Sequence, residues 1–367
     1  MVTGPRRKSA DKSKNSVGEQ QLQHHSKTMT PIQNAVVLLL IFMAGFQVTR
    51  FDSYFRTLSE VDLKTYISQT ASEVSSNLRA VSTSSATSIS PSYQLAFGES
   101  YGFFDDVSDQ DWKLYQDWAR LQGNHRYTFD PKRQWGRPAL WYYNNYNPIF
   151  NCPHAKRIAG IGDGPKWVCD PHRLKRQVER KRAAGETETP NSRCLIYSIG
   201  SNGNYEFEDG MVQYLGPDVC EIHIFDYSND YDRTENAAKN IHFHQLGLQG
   251  SQQSRGNQFA SFPEILKRLG HEGRAIDIFK IDCEGCEWDT FQDWVGYDIR
   301  QVLVEAHRLP SNVTLGFQFF DSFKENNLMM FSKEVNGFGG GEYYEFSYVK
   351  LHPSFLHPPE NAGREAV

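Results

Sequence analysis

The sequence predicts an α/β fold, a mostly parallel sheet with helices on both faces, preceded by an N-terminal anchor and stem. Three observations predict it. From residue 191 onward, short apolar runs of strand composition alternate with helical stretches, as parallel strands joined by crossover helices require. The first of these runs ends in a glycine-rich turn, and the second ends in an acid. Before residue 100, in contrast, a single long apolar run stands between polar segments.

The 367 residues make room for one large domain with appendages or for two ordinary domains, and 39% hydrophobic content is enough for a sizeable core. A net charge of −5 argues against a protein devoted to nucleic acid. Residues 1–30 carry Arg6, Arg7, Lys8, Lys12, Lys14 and Lys27 among polar residues and read as a disordered basic tail. The apolar run Ala35–Val48 is too short to span about 30 Å of hydrocarbon, but residues 31–51 are long enough. This segment is expected to be an uncleaved signal anchor, because a basic tail precedes it and no clear cleavage site follows; a cleaved signal peptide and a buried helix are the alternatives. A membrane contact through this helix and a Golgi or ER location with a lumenal catalytic domain follow as expectations. Residues 52–100 read as a stem: Ile67, Ala71, Val74, Leu78 and Val81 give a short amphipathic helix, and Ser82–Ser90 is a linker.

Residues 101–190 form an aromatic-rich extension, including Phe103, Phe104, Trp112, Trp141, Tyr142 and Phe150. Such rings either line an acceptor groove or pack the extension onto the catalytic domain, and packing is the expected role. Cys152 and Cys169 bracket a glycine-containing loop, and His172–Arg182 reads as a charged helix with a solvated face.

The repeating α/β pattern then begins and runs over 191–352, with 353–367 a disordered tail. Cys194–Gly200 is a buried strand that ends in "GSNGN", where glycines let the backbone turn tightly and approach a ligand. Glu206–Gly216 is a helix, and Cys220–Asp226 is a second strand with a terminal acid placed to accept hydrogen bonds from ribose hydroxyls. Ile241–Leu248 is the third strand, and Phe262–Gly270 is the helix before the fourth. That fourth segment, "AIDIFKIDCEGCEWDTF", delivers Asp282 and Glu284 to a strand's carboxyl end, where such sheets bind ligands. Glu287 is expected to be an exposed residue of the first helical turn. The fifth strand, Arg300–His307, ends in Glu305 and His307. The turn lacks the third glycine of the dinucleotide fingerprint, which favours S-adenosylmethionine over NAD or FAD.

"KIDCEGCEWDTF" resembles the K-I-D-x-E-G-x-E pattern of FkbM-type methyltransferases. Together, "YSIGSNGNYEFE", "HIFDYS", "IDCEGCEWDTF" and "VLVEAHR" are more similar to the methyltransferase-like protein family typified by methyltransferase-like protein twenty-four, over roughly Asp130–Val349. The resemblance implies a Rossmann-like class I methyltransferase fold with S-adenosyl-L-methionine as cofactor. It places Gly200, Asn202, Gly203 and Asp226 against that cofactor. Ser198 departs from the pattern by standing where many such enzymes have an acid.

Asp282, Glu284 and His307 are the candidate catalytic groups, with His307 a base near neutral pH. A glycan hydroxyl or other small acceptor is the expected substrate. No metal ligand is assigned, and these motifs leave the oligomeric state open. Two other readings stay open: a glycosyltransferase using Asp230–Asp232 as a metal-binding pair, and a degenerate fold that binds without catalysis. If the domain is lumenal, Asn312 is a glycosylation acceptor. Among six cysteines, Cys152–Cys169 is the expected disulfide, and Cys194, Cys220, Cys283 and Cys286 are expected to remain thiols.

Overall fold

The computed structural model describes residues 91–123, 138–186, 192–228, 240–310, 313–337 and 342–357. The basic tail, the apolar segment 31–51, the stem before residue 91, Asp230–Asp232 and Asn312 lie outside them. Among the described residues, no helix is long and apolar enough to cross a membrane.

In chain order, α1 (Gln94–Glu99), α2 (Asp109–Gly123) and α3 (Pro138–Asn145) lead to a hairpin of β1 (Lys156–Ile158) and β2 (Lys166–Val168), then α4 (His172–Ala183). The repeating part follows: β3 (Cys194–Ile199), α5 (Glu206–Leu215), β4 (Cys220–Asp226), β5 (Ile241–Gln245), β6 (Gly247–Leu248) and β7 (Phe259–Ala260). It continues through α6 (Phe262–Leu269), β8 (Ile278–Ile281), α7 (Cys286–Trp294), β9 (Gln301–Ala306), α8 (Val313–Glu325), β10 (Leu328–Val335) and β11 (Tyr344–Lys350).

Local chemistry explains these bounds. All six residues of β3 are buried, as expected of a central strand covered on both faces. Ser261 and Glu264 form a capping box at the start of α6, and Gly270 ends that helix in the left-handed region. The expected third strand is divided: β5 joins the main sheet, whereas Gly247–Leu248 turns away to pair with β7.

The main sheet has the order β10-β11-β9-β8-β3-β4-β5. Strands β5, β4, β3, β8 and β9 pair in parallel, and β11 runs antiparallel to both its neighbours. From β3 the chain first builds outward through β4 and β5, then returns to place β8 on the other side of β3. The order therefore reverses between β3 and β8, and the crevice beyond their carboxyl ends is where open α/β sheets bind ligands.

One apolar cluster joins Tyr197, Phe225, Phe279 and Val304 to α6, α7 and α8. The other joins Ile196, Ile222, Ile278 and Leu303 to α4 and α5, and also takes in Phe104, Trp112 and Phe150 from the extension. The rings of the extension therefore pack, as the sequence leads one to expect, and Trp141 and Tyr142 do so in the first cluster. The packed residues also extend before residue 101 and past 352. Ala96 is fully buried in the α1 turn, and Phe355 is buried 5.3 Å from the Trp112 ring, in a turn formed by Pro353–Phe355.

All six cysteines are bridged. Cys152–Cys169 is the expected pair, with Cα atoms 5.3 Å apart. The other two bridges correct the expectation of thiols. Cys194 and Cys220 are direct register partners on adjacent parallel strands, with Cα atoms 4.4 Å apart. Cys283 and Cys286 are joined across a turn that the junction was not expected to make. Glu284 and Gly285 both take positive φ, 56° and 112°, which folds the chain back and brings the two Cα atoms to 5.4 Å.

Candidate functional site

The glycine-rich turn after β3 lies against the end of β8. Gly200 has φ of +76°, and a Cβ there would stand 1.8 Å from the Asp282 carbonyl oxygen. Only glycine permits this approach. The Lys280 ammonium donates to the Gly200 carbonyl at 3.0 Å, clamping the turn to the strand that carries Asp282. Asn202 and Gly203 also take positive φ, 46° and 76°.

Asp226, at the end of β4, is buried and holds this turn. One carboxylate oxygen accepts from the Ser201 and Asn202 amides at 3.0 and 2.8 Å, and the other accepts from the Ser228 amide at 2.9 Å. A carboxylate has about four acceptor sites, so capacity for a ribose hydroxyl remains. Gly200, Asn202, Gly203 and Asp226 are thus brought to one crevice. Beneath it, Ser198 donates to a carboxylate oxygen of the fully buried Glu208 on α5. The other oxygen of Glu208 has no hydrogen-bond partner among the described residues. Sequence order concealed this acid, which reaches the first strand's end from the following helix.

On the other side of Asp282 is a buried charge network. The Lys166 ammonium, 1% exposed, lies 3.1 Å from Asp282 and 3.0 Å from Glu305, and also pairs with Glu345. Burial opposes its charge, but the three carboxylates outweigh burial and raise its pKa. Burial likewise opposes ionisation of Asp282, and the charges of Lys166, Lys280 and His307 reverse this, lowering its pKa to about 2. Glu345 behaves differently: burial, with Glu305 and Asp282 nearby, raises its pKa well above the carboxylate range despite Lys166.

His307 joins the same network. Its Nε2 is 3.6 Å from Asp282, 3.7 Å from Glu284 and 3.8 Å from Glu305. Its Nδ1 meets Glu287 at 3.1 Å, and Glu287 also accepts from the His307 amide at 2.6 Å. Desolvation lowers the imidazole pKa, but the Glu287 hydrogen bond and the charges of Glu287, Asp282 and Glu305 outweigh it and raise the pKa to about 9. His307 is therefore an imidazolium near neutral pH, and the expectation of a neutral base there is corrected. Glu287 is corrected too: it is fully buried, receiving bonds from the Gly285 amide at 3.0 Å and from His307. Glu284 is 80% exposed at the rim, touching only the edge of the network.

Asp282, Glu305 and His307 have the spacing of a metal-ligand set, but the Lys166 ammonium already supplies the positive charge between Asp282 and Glu305. Lys166 is the main residue that the sequence argument missed. Its signal is a single cation beside Trp167 and Val168, in the loop closed by Cys152–Cys169. A cavity of about 250 Å³ opens beside Glu345, lined by Arg157, Ile161, Gly162, Glu334, Asn336 and others from the hairpin and β10.

The family model described as a methyltransferase domain matches residues 94–350. No curated protein matches the chain. Among solved structures, it is similar to the Methanococcus jannaschii fibrillarin pre-rRNA processing protein, with 8% identity over 44% of this chain and 67% of that one, and a TM-score of 0.31. Aeropyrum pernix fibrillarin with bound S-adenosyl-L-methionine matches at 12% identity over 54% and 86%, TM-score 0.30. A Burkholderia thailandensis 1,6-didemethyltoxoflavin-N1-methyltransferase matches at 10% over 56% and 99%, TM-score 0.28.

Proposed function

This chain belongs to the methyltransferase-domain family, and from that premise we propose that it transfers a methyl group from S-adenosyl-L-methionine to a hydroxyl of a glycan or other small acceptor. The observation that carries the proposal is the meeting of Gly200, Asp226 and Asp282 at the point where the strand order reverses. Within the family, the motifs quoted above favour the branch typified by methyltransferase-like protein twenty-four, related to FkbM-type enzymes. Family membership removes the reason to read Asp230–Asp232 as a glycosyltransferase metal pair.

The cofactor supplies the reactive sulfonium when bound. The protein's part is positioning and charge. Gly200, Asn202 and Gly203 shape a backbone turn that a ligand can approach closely, and Asp226 both fixes that turn and offers an acceptor to a ribose hydroxyl. Buried Glu208 holds Ser198 by a hydrogen bond just below the turn and so fixes the end of β3. Asp282, held ionised and in place by Lys166, orients the acceptor hydroxyl. His307 as a cation cannot take the proton, so that role falls to the exposed Glu284 carboxylate at the rim. The cavity beside Glu345 is the side from which an acceptor enters. Residues 31–51 anchor the chain in a Golgi or ER membrane with the domain in the lumen.

Calorimetry of the full chain with S-adenosylmethionine and its demethylated product tests the reading. Wild type should bind both, and Asp226→Asn should bind at least about tenfold more weakly, since a charged acceptor bond is worth roughly 1.5–3 kcal/mol. Binding of neither ligand by the folded wild-type chain would overturn it. Glu284→Gln should retain binding and lose turnover.

A further inference from the structure

A second cluster of chemically competent side chains lies away from the crevice. Glu221 and His223 occupy the first half of β4, and His271 follows the Gly270 turn that ends α6. Along β4, Glu221 stands about 16 Å and His223 about 10 Å from Asp226 at the carboxyl end, at about 3.3 Å per residue. Glu221, His223 and His271 each turn a ligand-type atom inward, and these atoms all lie within 4.8 Å of one another. Nε2 of His223 is 2.9 Å from Glu221 Oε1, and Nε2 of His271 is 3.7 Å from the same oxygen. Four-coordinate zinc with bonds near 2.0–2.1 Å spaces its ligand atoms by roughly 3.3 Å, so small rotations suffice.

The outer partners are what distinguish this cluster from a chance meeting of polar groups. Metal-bound histidines hydrogen-bond through the other ring nitrogen, which fixes the tautomer and aims the ligand nitrogen. Here Nδ1 of His271 meets the Tyr197 hydroxyl at 2.7 Å, and Nδ1 of His223 meets His244 Nε2 at 2.8 Å. Arg274 holds the second oxygen of Glu221 at 2.7 Å. Each of the three inward atoms therefore belongs to a side chain already held by a second group. Arg274 also makes a long contact, 3.4 Å, with His271 Nε2, which a metal ion would displace. His223 and His271 are buried and Glu221 is half-buried, leaving one side for entry and for a water ligand.

We propose that Glu221, His223 and His271 bind a zinc-type divalent cation, with Tyr197, His244 and Arg274 as the groups that orient them. Two imidazoles and one carboxylate suit zinc or a neighbouring transition ion and not magnesium or calcium, which prefer all-oxygen sets. Three protein ligands leave the fourth position to water. The site ties the end of α6 to β4 and lies apart from the methyl-transfer crevice.

The full chain, stripped with a chelator and titrated with Co²⁺, gives a direct readout. One equivalent should develop visible absorption of four-coordinate cobalt and bleach on adding Zn²⁺. Glu221→Gln and His271→Gln should each weaken binding by at least about 100-fold, in line with losing a ligand rather than an outer partner. His307→Gln should leave it unchanged. The wild-type spectrum does not depend on any variant folding. No absorbing equivalent in wild type, retention of it in the Glu221→Gln, His271→Gln double variant, or its loss in His307→Gln would each overturn the proposal.

Discussion

His307 shows how position changes the chemistry of a residue. Its pKa stands near 9, above the ordinary value of about 6.5, because Glu287, Asp282 and Glu305 favour the cation. A raised folded-state value contributes stability that is fully present below about pH 6.5 and is lost as pH rises through 9. The shift corresponds to about 3 kcal/mol at most. The melting temperature of wild type should therefore fall between pH 6.5 and 9 more steeply than that of His307→Gln; parallel curves would show that the imidazolium is not held. Lys166 carries the complementary risk. Lys166→Met strands half-buried Asp282 and buried Glu305, so urea unfolding should report a loss of about 3 kcal/mol at neutral pH.

Among the elements, the turn after β3 matters most, and two glycines separate its causes. Gly200 and Gly273 share a φ of +76°, but a Cβ on Gly273 meets nothing within 4 Å, whereas one on Gly200 strikes the Asp282 carbonyl. Gly273→Ala should cost about 1 kcal/mol for its backbone conformation alone. Gly200→Ala should cost more and also remove S-adenosylmethionine binding, measured by calorimetry beside the Gly273 control. Equal effects on binding would mean that the turn does not approach the cofactor. The hairpin that carries Lys166 is held by Cys152–Cys169, and removing this bridge with Cys152→Ser, Cys169→Ser should destabilise the protein by about 3 kcal/mol for a loop of this length.

Taken whole, the sheet and the extension are packed together through both apolar clusters. Trp112 is fully buried, donates to Glu99 at 2.7 Å and packs on Phe104, Phe150 and Phe355. Trp112→Ala should therefore cost about 3–5 kcal/mol although it lies far from the crevice in sequence. A fragment beginning at residue 191 loses Phe104, Trp112, Phe150 and Lys166 together. It should show no cooperative thermal transition, whereas a fragment beginning at residue 88 should melt cooperatively.

The sequence by itself determined the alternation of strands and helices from β3 to β9, the division of the third strand apart, because a buried parallel strand must be continuously apolar and a helix must be capped and amphipathic. Cys220–Asp226 is found at the expected bounds, and the glycine turn and Asp282 meet at the end of the sheet. Tertiary structure alone decided which charges meet. Lys166, Glu208, Glu305 and Glu345 come from separate elements, and no spacing along the chain brings an ammonium from a hairpin between carboxylates of three different segments. The same holds for Glu287 and the Cys283–Cys286 bridge. Their fate depended on two left-handed residues and on the burial of His307 behind them, and periodicity does not record either. Local pattern follows from each segment's own solvation, whereas a charge network depends on desolvation shared among segments that only the fold brings together.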